Sequence, residues 1–278
     1  MKDYGKTLLR HLVDYKRARL GIKLSGTYNY RGRDVVRPQI LPRELRWLNI
    51  LEGFRAEIHE YVRSHKSIIL HKYFHHLNSS QALALNLFLP FFESDSATSA
   101  ALLAALGLNG DVRGWCCEMV VDAKEETQVG VAWQNSSGSW TYCEVKLSER
   151  EFGHATGIEK HHHKLLNTYG PGLRDHCTAE MLESKNFFEH YQILRNVWLA
   201  SRDQTSRVIF LLPRENEGIW KRLNLVLASL KPSLRSRIFV AELESTLTTL
   251  AGNTSLSPAL QWHSHCLREK YVPIAEVV

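Results

Sequence analysis

Glu144 and Lys146 stand two residues apart in the apolar segment WTYCEVKL at 140–147. Successive side chains of a β-strand point to opposite faces, so a strand here would place the carboxylate and the ammonium side by side. The carboxylate can bind Mg²⁺ together with the main-chain carbonyl of Val145, since that ion prefers hard oxygen ligands. The ammonium can stabilise negative charge that develops on a phosphate. The two residues therefore predict a site that cleaves phosphodiester bonds.

The same spacing is also typical of an ordinary ion pair on a strand, so further acids are needed to identify a site. Glu118 lies alone in the apolar run WCCEMVV. A carboxylate on a buried strand needs a partner such as a metal, a lysine or an arginine. We expect Glu118 to support the site, with a structural ion pair or a bond to a backbone amide as the alternative. For Asp122 and Glu126 we favour solvated loop positions.

The elements that must position these residues form an α/β pattern. Strand-like runs at 116–121, 128–134 and 140–147, with the turn signal NSSGS before the last, predict an antiparallel meander. A His-rich loop or helix follows them. The remaining patterns predict a helix at 186–201, a strand buried on both faces at 207–213, a helix at 215–230 and a strand at 237–243. We see no internal repeat.

The first 110 residues are predicted to be mostly helical. Apolar periodicity predicts an amphipathic helix at 4–20 and a long helix at 45–71, and further helices follow near 78–90 and 94–110. Pro90 is expected to stop or kink the third of these helices. Glycines and prolines between 25 and 42 predict a loop or a small hairpin.

The N-terminal part of the chain is basic. Residues 1–80 contain 16 Lys and Arg against 7 Asp and Glu, whereas the rest contains 19 against 22. In the segment SGTYNYRGRDVV, Arg31 and Arg33 alternate with tyrosines, a mixture that can pair with phosphates and stack on bases. We predict nucleic-acid binding there, with tyrosines that merely anchor the loop to the core as the alternative.

Several function classes find no support in the sequence. The most apolar run, at 82–92, is too short for a membrane span, and the first residues lack the apolar core of a signal peptide. Five cysteines without a CxxC pair predict a reducing, cytoplasmic setting. No P-loop, GxSxG or GxGxxG is present, so we expect no nucleotide cofactor. The histidines at 161–163 can bind metals adventitiously, but adjacent residues do not converge on one ion.

The order of strands and helices, with ExK on the third strand, resembles the PD-(D/E)XK nuclease superfamily. The segment EVKLSEREFG is similar to the corresponding motif of a restriction-endonuclease-like branch of this superfamily, found among bacterial nucleases. The segments GTYNYRGR, LNSSQALALNLF, HYQILRN and VIFLLPRENEG also resemble that branch, so the similarity extends over most of the chain. The resemblance implies that Glu144 is a metal ligand and that Lys146 is the catalytic lysine. It also implies that Gln192 and Arg195 face the site or the DNA backbone, with an ordinary exposed helix face as the alternative.

The sequence departs from this family at one important position. The family has a metal-binding aspartate on the preceding strand, within a motif similar to GTNFDV. The corresponding segment of this chain is ETQVGV. Gly130 therefore occupies the place of that aspartate. Either another carboxylate, with Glu118 as the best candidate, substitutes for it, or the protein is a degenerate nuclease that binds without cutting.

Together these observations predict a restriction-endonuclease-like α/β fold, with a mixed sheet flanked by helices and a helical N-terminal region. We place a basic N-terminal region at 1–110 and the nuclease core at 111–278. The expected function is Mg²⁺-dependent DNA endonuclease activity, with Mn²⁺ as an alternative ion, in a bacterial restriction or antiviral defence setting. Glu144, Val145 and Glu118 are the predicted metal ligands. DNA is the expected partner, with a partner subunit or a second copy of the chain as further partners and no membrane association.

Overall fold

The structure is a computed structural model that describes residues 3–122, 127–155 and 158–273 of the 278-residue chain. The chain divides into two compact units. The first contains the residues up to Asp111 and those from Glu242 onward, and the second extends from Val112 to Ala241. Residues 242–273 thus pack with the N-terminal region, although we placed them in the predicted nuclease core. Which segment carries the activity stays a prediction.

Helices and strands follow one another along the chain in short runs. The helices are α1 (Tyr4–Ala18), α2 (Arg55–Ser64), α3 (Ser80–Phe92), α4 (Ser96–Ala105), α5 (Ile158–Lys164), α6 (Gly170–Leu173), α7 (Ser184–Glu189), α8 (Tyr191–Ser201), α9 (Glu217–Ser229), α10 (Pro232–Arg235), α11 (Leu243–Ala251) and α12 (Pro258–Tyr271). The strands are β1 (Gly26–Tyr30), β2 (Arg33–Arg37), β3 (Gly114–Asp122), β4 (Thr127–Gln134), β5 (Trp140–Val145), β6 (Arg207–Leu212) and β7 (Ile238–Glu242). Short 3₁₀ helices lie at Arg43–Asn49, Glu52–Phe54 and Glu180–Leu182, and a π-helical turn lies at Leu165–Tyr169. No helix of the described ranges has the length and apolar character needed to cross a membrane.

The second unit is built on a five-stranded sheet in the order β3-β4-β5-β6-β7. β3, β4 and β5 form an antiparallel meander, in which Cys117 of β3 lies opposite Val131 of β4. β6 pairs with β5 in parallel, so that Glu144 lies opposite Phe210. The predicted mixed sheet and its meander are confirmed.

Burial explains why β6 lies inside this sheet. Its residues 208–212 are fully buried, as expected of a strand that helices cover on both faces. On one face, Ile193, Leu194 and Val197 of α8 belong to the same hydrophobic core as Tyr142 of β5. The apolar side of α8 therefore fixes this helix against β5.

The helix predicted at 186–201 is interrupted at His190, which separates α7 from α8. This residue has φ −109° and ψ 20°, outside the helical region. Its Nδ1 donates to the carbonyl of Asn186 at 3.0 Å. Side-chain bonds of this kind compete with the helical ladder, and apolar periodicity does not reveal them.

The first unit packs its helices beside the β1–β2 hairpin, which was predicted as a loop or hairpin. The single long helix predicted at 45–71 is wrong, because α2 covers only part of that range. Leu51 is extended and donates its N–H to Asn86 Oδ1 at 2.8 Å. Asn49 Nδ2 donates to two carbonyls of the segment that precedes α3, at 2.6 and 2.7 Å. These long-range hydrogen bonds outweigh the local helical pattern.

α3 continues past Pro90 to Phe92, so the proline does not stop it. Proline has no N–H, which frees the carbonyl of Asn86 four residues earlier. His263 Nε2 donates to this carbonyl at 2.7 Å. Burial lowers the pKa of His263 to about 4, so that the imidazole is neutral near pH 7. This hydrogen bond joins α12 to α3.

Lys270 of α12 is fully buried. Its Nζ donates to the main-chain carbonyl of Asn49 and, at 2.8 Å, to Asn49 Oδ1. Burial and, to a smaller extent, the charge of Arg55 hold the pKa of Lys270 well below its usual value. Between this pKa and the usual ammonium pKa, the native state binds fewer protons than the unfolded chain, so stability rises with pH.

Replacement of Lys270 should therefore remove part of the pH dependence of stability. Between pH 7 and 9.5 we expect the free energy of unfolding of the wild type to rise more steeply with pH than that of Lys270→Met. The difference in slope is at most about 1.4 kcal/mol per pH unit. Urea denaturation at several pH values measures it, and Lys23→Met, at an exposed lysine of the same unit, is the control. Equal slopes in wild type and Lys270→Met would contradict a depressed pKa.

Candidate active site

β5 places Glu144 and Lys146 on one surface of the sheet. Glu144 pairs with Phe210 of β6, and the Lys146 N–H extends this pairing by donating to the carbonyl of Leu211 at 3.0 Å. β5 is held on both sides, by β4 and β6, so the backbone that carries the two charged residues is fixed. The sheet therefore fixes the backbone positions from which both side chains project.

The two charged groups form a buried ion pair. Lys146 Nζ lies 2.8 Å from Glu144 Oε1, and the two residues are only 8% and 7% exposed. Desolvation of two charges opposes folding, and an apolar pair of similar volume is often at least as stable. An ion pair buried in a sheet is therefore weakly explained by stability alone and is a candidate for function.

α8 contacts both members of the pair. Gln192 Oε1 accepts a hydrogen bond from Lys146 Nζ at 3.0 Å, and Asn196 Nδ2 donates to Glu144 Oε2 at 3.3 Å. Positions four apart lie on one face of a helix, so these two amides reach the sheet together. Gln192 was predicted from the sequence, but Asn196 was not. The four-residue spacing of these two amides in QILRN indicates that they share one face of the helix.

Arg195 lies near the pair without contacting it through a hydrogen bond. Its Nη2 donates to the main-chain carbonyl of Gln128 on β4 at 3.2 Å, and its buried Nε has no partner within the described ranges. Its positive charge acts on Lys146 by lowering the pKa of that ammonium. Arg195 therefore adds a second cation to the surroundings of the ion pair.

The charge state of Lys146 follows from competing effects. Burial lowers the pKa of the ammonium, but the carboxylates of Glu144 and Glu149 outweigh burial and Arg195, so the pKa lies above its usual value. Lys146 is therefore protonated throughout the neutral range. The stability that the charged lysine contributes is present at neutral pH and is lost as the pH rises through this elevated pKa.

Glu149 is a nearby acid that sequence reasoning did not single out. Its Oε2 accepts the N–H of Leu147 at 2.7 Å, which turns the side chain back toward the end of β5. Glu149 contributes negative charge at Lys146. It lies three residues after the lysine, outside the strand alternation on which the sequence analysis relied.

Glu118 and Gly130 lie opposite each other on β3 and β4, next to the pairing of Cys117 with Val131. Two strand spacings, about 10 Å, separate the backbone of Glu118 from that of Glu144. Glu118 has φ 55°, in the left-handed region that residues other than glycine rarely adopt. Such strain is concentrated at functional sites. The backbone at Gly130 has room for a side chain, since among the described residues an added Cβ would meet the carbonyl of Cys143 alone, at 3.5 Å.

The metal ligands predicted from sequence are of the right chemical type but few in number. In the ranges 3–122, 127–155 and 158–273, no group of three or more His, Cys, Asp and Glu side chains could hold a metal ion. The Glu144 carboxylate is shared between Lys146 and Asn196. Mg²⁺ is commonly held by one or two carboxylates together with substrate phosphates and water. The donors present fit Mg²⁺ only in that arrangement.

The remaining predicted residues lie elsewhere. Arg31 and Arg33 belong to the hairpin of the first unit, where the guanidinium of Arg31 lies 5.3 Å from the centre of the Tyr30 ring. Asp122 pairs with Arg202 at 3.6 Å. Glu126 lies outside the described residues.

The histidine tract contacts neighbouring side chains. His162 Nδ1 lies 3.3 Å from Ser184 Oγ, and the His161 ring lies 5.2 Å from the ring of Tyr191. These contacts link the tract to the segment around α7 and to the start of α8. They give no indication of metal binding.

Comparison with known families identifies one match. The family described as "Restriction Endonuclease associating with ARP" matches residues 9–272, which is most of the chain. Searches of curated proteins and of solved structures gave no match. The mixed sheet and the ExK strand are those expected of a restriction-endonuclease-like fold. This chain belongs to the family of restriction endonucleases associating with ARP.

Proposed function

We propose that this protein is a Mg²⁺-dependent endonuclease that hydrolyses phosphodiester bonds of DNA, with Mn²⁺ as an alternative ion. The observation that supports this most strongly is the buried pair of Glu144 and Lys146, held by two amides of α8 within the sheet of a restriction-endonuclease-like family. Both charges are desolvated and fixed in orientation. Such preorganised charges stabilise a transition state without further reorganisation.

Lys146 supplies positive charge to the reaction. Because its pKa is raised, it does not act as a base near pH 7 but stays an ammonium that stabilises charge developing on the phosphate. Gln192 fixes this ammonium through a 3.0 Å hydrogen bond. Arg195 adds a second cation for the DNA backbone.

Glu144 would hold the metal ion together with the Val145 carbonyl and a phosphate oxygen of the substrate. When bound, Mg²⁺ makes a coordinated water more acidic and polarises the phosphate. Asn196 orients the Glu144 carboxylate through Oε2. Glu118 is the supporting acid in this proposal, because Gly130 carries no side chain between it and Glu144.

The β1–β2 hairpin would supply further phosphate contacts through Arg31 and Arg33. Both side chains are exposed, as is that of Tyr30, which is 52% accessible. Tyr28 is less exposed and packs its ring 5.9 Å from that of Tyr73. The ring of Tyr28 therefore anchors the hairpin, while the ring of Tyr30 is available for stacking on a base. The sequence pattern had left anchoring and nucleic-acid binding as alternatives, and the two tyrosines allow both.

A second candidate function is a degenerate nuclease that binds nucleic acid or a partner subunit without cutting. Gly130 favours it, because the family's principal metal-binding aspartate is missing there. The family description also names association with ARP. A partner subunit or a second copy of this chain could supply the missing acid. In either case we propose a cytoplasmic role in restriction or antiviral defence.

Loss of either charge should abolish cutting. We expect Glu144→Gln and Lys146→Met each to reduce nicking of supercoiled plasmid in Mg²⁺ or Mn²⁺ by roughly 100-fold or more, since each removes a preorganised charge. The controls are Glu215→Gln and Lys185→Met, at exposed residues of the same unit. Breaking a buried pair costs about 3–5 kcal/mol, so thermal unfolding must show that the variants are folded at the assay temperature. Full cutting by a folded Glu144→Gln protein would exclude this site.

Restoration of an aspartate at position 130 distinguishes the two candidate functions. If Glu118 already serves the site, Gly130→Asp should change Mg²⁺-dependent nicking only modestly, whereas Glu118→Gln should abolish it. If the site is degenerate, the wild type should not cut, and cutting should appear only in Gly130→Asp. Gly130→Asn is the control of equal size without the charge. The same nicking assay over a series of Mg²⁺ concentrations measures all three variants.

The hairpin arginines should contribute to the salt dependence of DNA binding. Each phosphate contact contributes about 0.9 to the slope of log K against log salt concentration. We therefore expect the double variant Arg31→Gln, Arg33→Gln to lower the slope by about 2. Fluorescence anisotropy with a labelled duplex at several salt concentrations measures it. The double variant Arg43→Gln, Arg46→Gln removes two exposed arginines outside the hairpin, and an equal effect there would contradict a specific role of the hairpin.

A further inference from the structure

A cavity of about 140 Å³ lies in the first unit, between the end of α1, the start of α2 and the middle of α12. Nothing in its lining belongs to the candidate active site. Its polar lining includes Tyr15, Arg19, Glu52, Arg55, His263 and Glu269, and Trp262 lies at the same site. A cavity of this volume can hold several water molecules or a small polar group.

The two arginines of the cavity differ in their availability. Arg19 pairs with Glu269 through two hydrogen bonds, of which the one from Nη2 measures 2.7 Å. Arg55 donates from Nε to the carbonyl of Ile50 at 3.0 Å, which fixes its guanidinium plane. Its Nη1 and Nη2 make no hydrogen bond or ion pair within the described part of the chain. Arg55 therefore presents two oriented donors to a ligand.

The charged residues that line the cavity are not all paired. Arg19 forms an ion pair with Glu269, and Glu52 is exposed at the rim. Arg55 has no carboxylate partner within the described part of the chain. An anionic group can therefore bind at the Arg55 end of the cavity without displacing an existing ion pair.

His263 forms part of the inner wall of the cavity. The residue is 1% exposed, and its Nε2 donates to the carbonyl of Asn86 at 2.7 Å. Its Nδ1 is buried and out of reach of a ligand in the cavity. The ring therefore holds the wall in place beside Arg55.

Trp262 provides a flat apolar surface beside the cavity. Its side chain is 61% exposed, which is unusual for the largest apolar residue type. Stacking of a nucleobase on an aromatic ring is typically worth about 1–3 kcal/mol and does not depend on the base. A donor for an anion and a stacking surface thus lie at one site.

We propose that this cavity binds a nucleoside monophosphate unit, with the phosphate on Arg55 and the base across Trp262. The unit is either a free nucleotide or the 5′-terminal nucleotide of a strand, which share this chemistry. Binding needs no hydrolysis motif, so the absence of a P-loop is no obstacle. The site is independent of the proposed nuclease chemistry.

Isothermal titration calorimetry of the full chain with 5′-AMP, in EDTA to prevent cleavage, tests the proposal. Adenosine and inorganic phosphate are titrated in parallel, as are 5′-phosphorylated and 5′-hydroxyl oligonucleotides of one sequence. We expect saturable binding of AMP that Arg55→Gln and Trp262→Ala each weaken by roughly tenfold, because each removes one charged hydrogen-bond or stacking contact. Arg17→Gln, the loss of an exposed arginine of α1, is the matched control. Trp262→Ala removes an exposed side chain, so its result does not depend on refolding of the core.

The outcomes separate the alternatives. A preference for the 5′-phosphorylated over the 5′-hydroxyl oligonucleotide, lost in both variants, identifies a strand end as the source, whereas tighter binding of AMP identifies a free nucleotide. Absence of AMP binding, binding of phosphate as tight as that of AMP, or equal affinity in Trp262→Ala and wild type would overturn the proposal. Glu144→Gln should bind AMP like the wild type even if it has lost cutting, so failure of the nuclease proposal is distinguishable from failure here.

Discussion

The ion pair between Glu144 and Lys146 is the interaction on which the second unit's chemistry depends. Two opposite charges buried at 2.8 Å are tolerated only where each has further polar partners, and α8 provides them through Gln192 and Asn196. The helix can reach the pair because its apolar side is locked into the core that also contains Tyr142. The packing of α8 on β5 therefore sets both the stability of this unit and the orientation of its two charges.

The architecture of this unit could be predicted largely from period-two alternation and apolar runs. The three meander strands and the buried β6 follow from local side-chain patterns that tertiary contacts then reinforce. The errors arose where a single polar side chain redirects the backbone. His190 divides a predicted helix, and the bonds of Asn49 and Asn86 hold residues near Leu51 extended. The hydrogen-bond partners of Asn49 and Asn86 are distant in sequence, so a local sequence pattern does not indicate these bonds.

The site was predictable only in part, for a related reason. Alternation placed Glu144 beside Lys146, but it could not show that Asn196 and Glu149 would complete their surroundings, because those contacts require the fold. Nor could it relate Glu118 to Gly130, since the opposition of these two residues depends on the register of β3 against β4. A glutamate opposite the glycine is the arrangement expected if one acid has replaced another across neighbouring strands. The left-handed backbone of Glu118 is consistent with a constraint other than stability.

The first unit uses buried polar groups in a different way. Pro90 frees the carbonyl of Asn86, which receives His263, while the Asn86 side chain donates to Tyr271 at 3.0 Å and Asn49 accepts from Lys270. These bonds draw α12 against α3, beside the cavity that His263 and Arg55 line. Neutral amides and carbonyls balance the buried groups here, whereas a carboxylate balances Lys146 in the second unit. The lysine paired with a carboxylate keeps its charge at neutral pH, and the lysine held by carbonyls has its pKa depressed. The type of partner therefore decides which of these two lysines is suited to stabilise a phosphate.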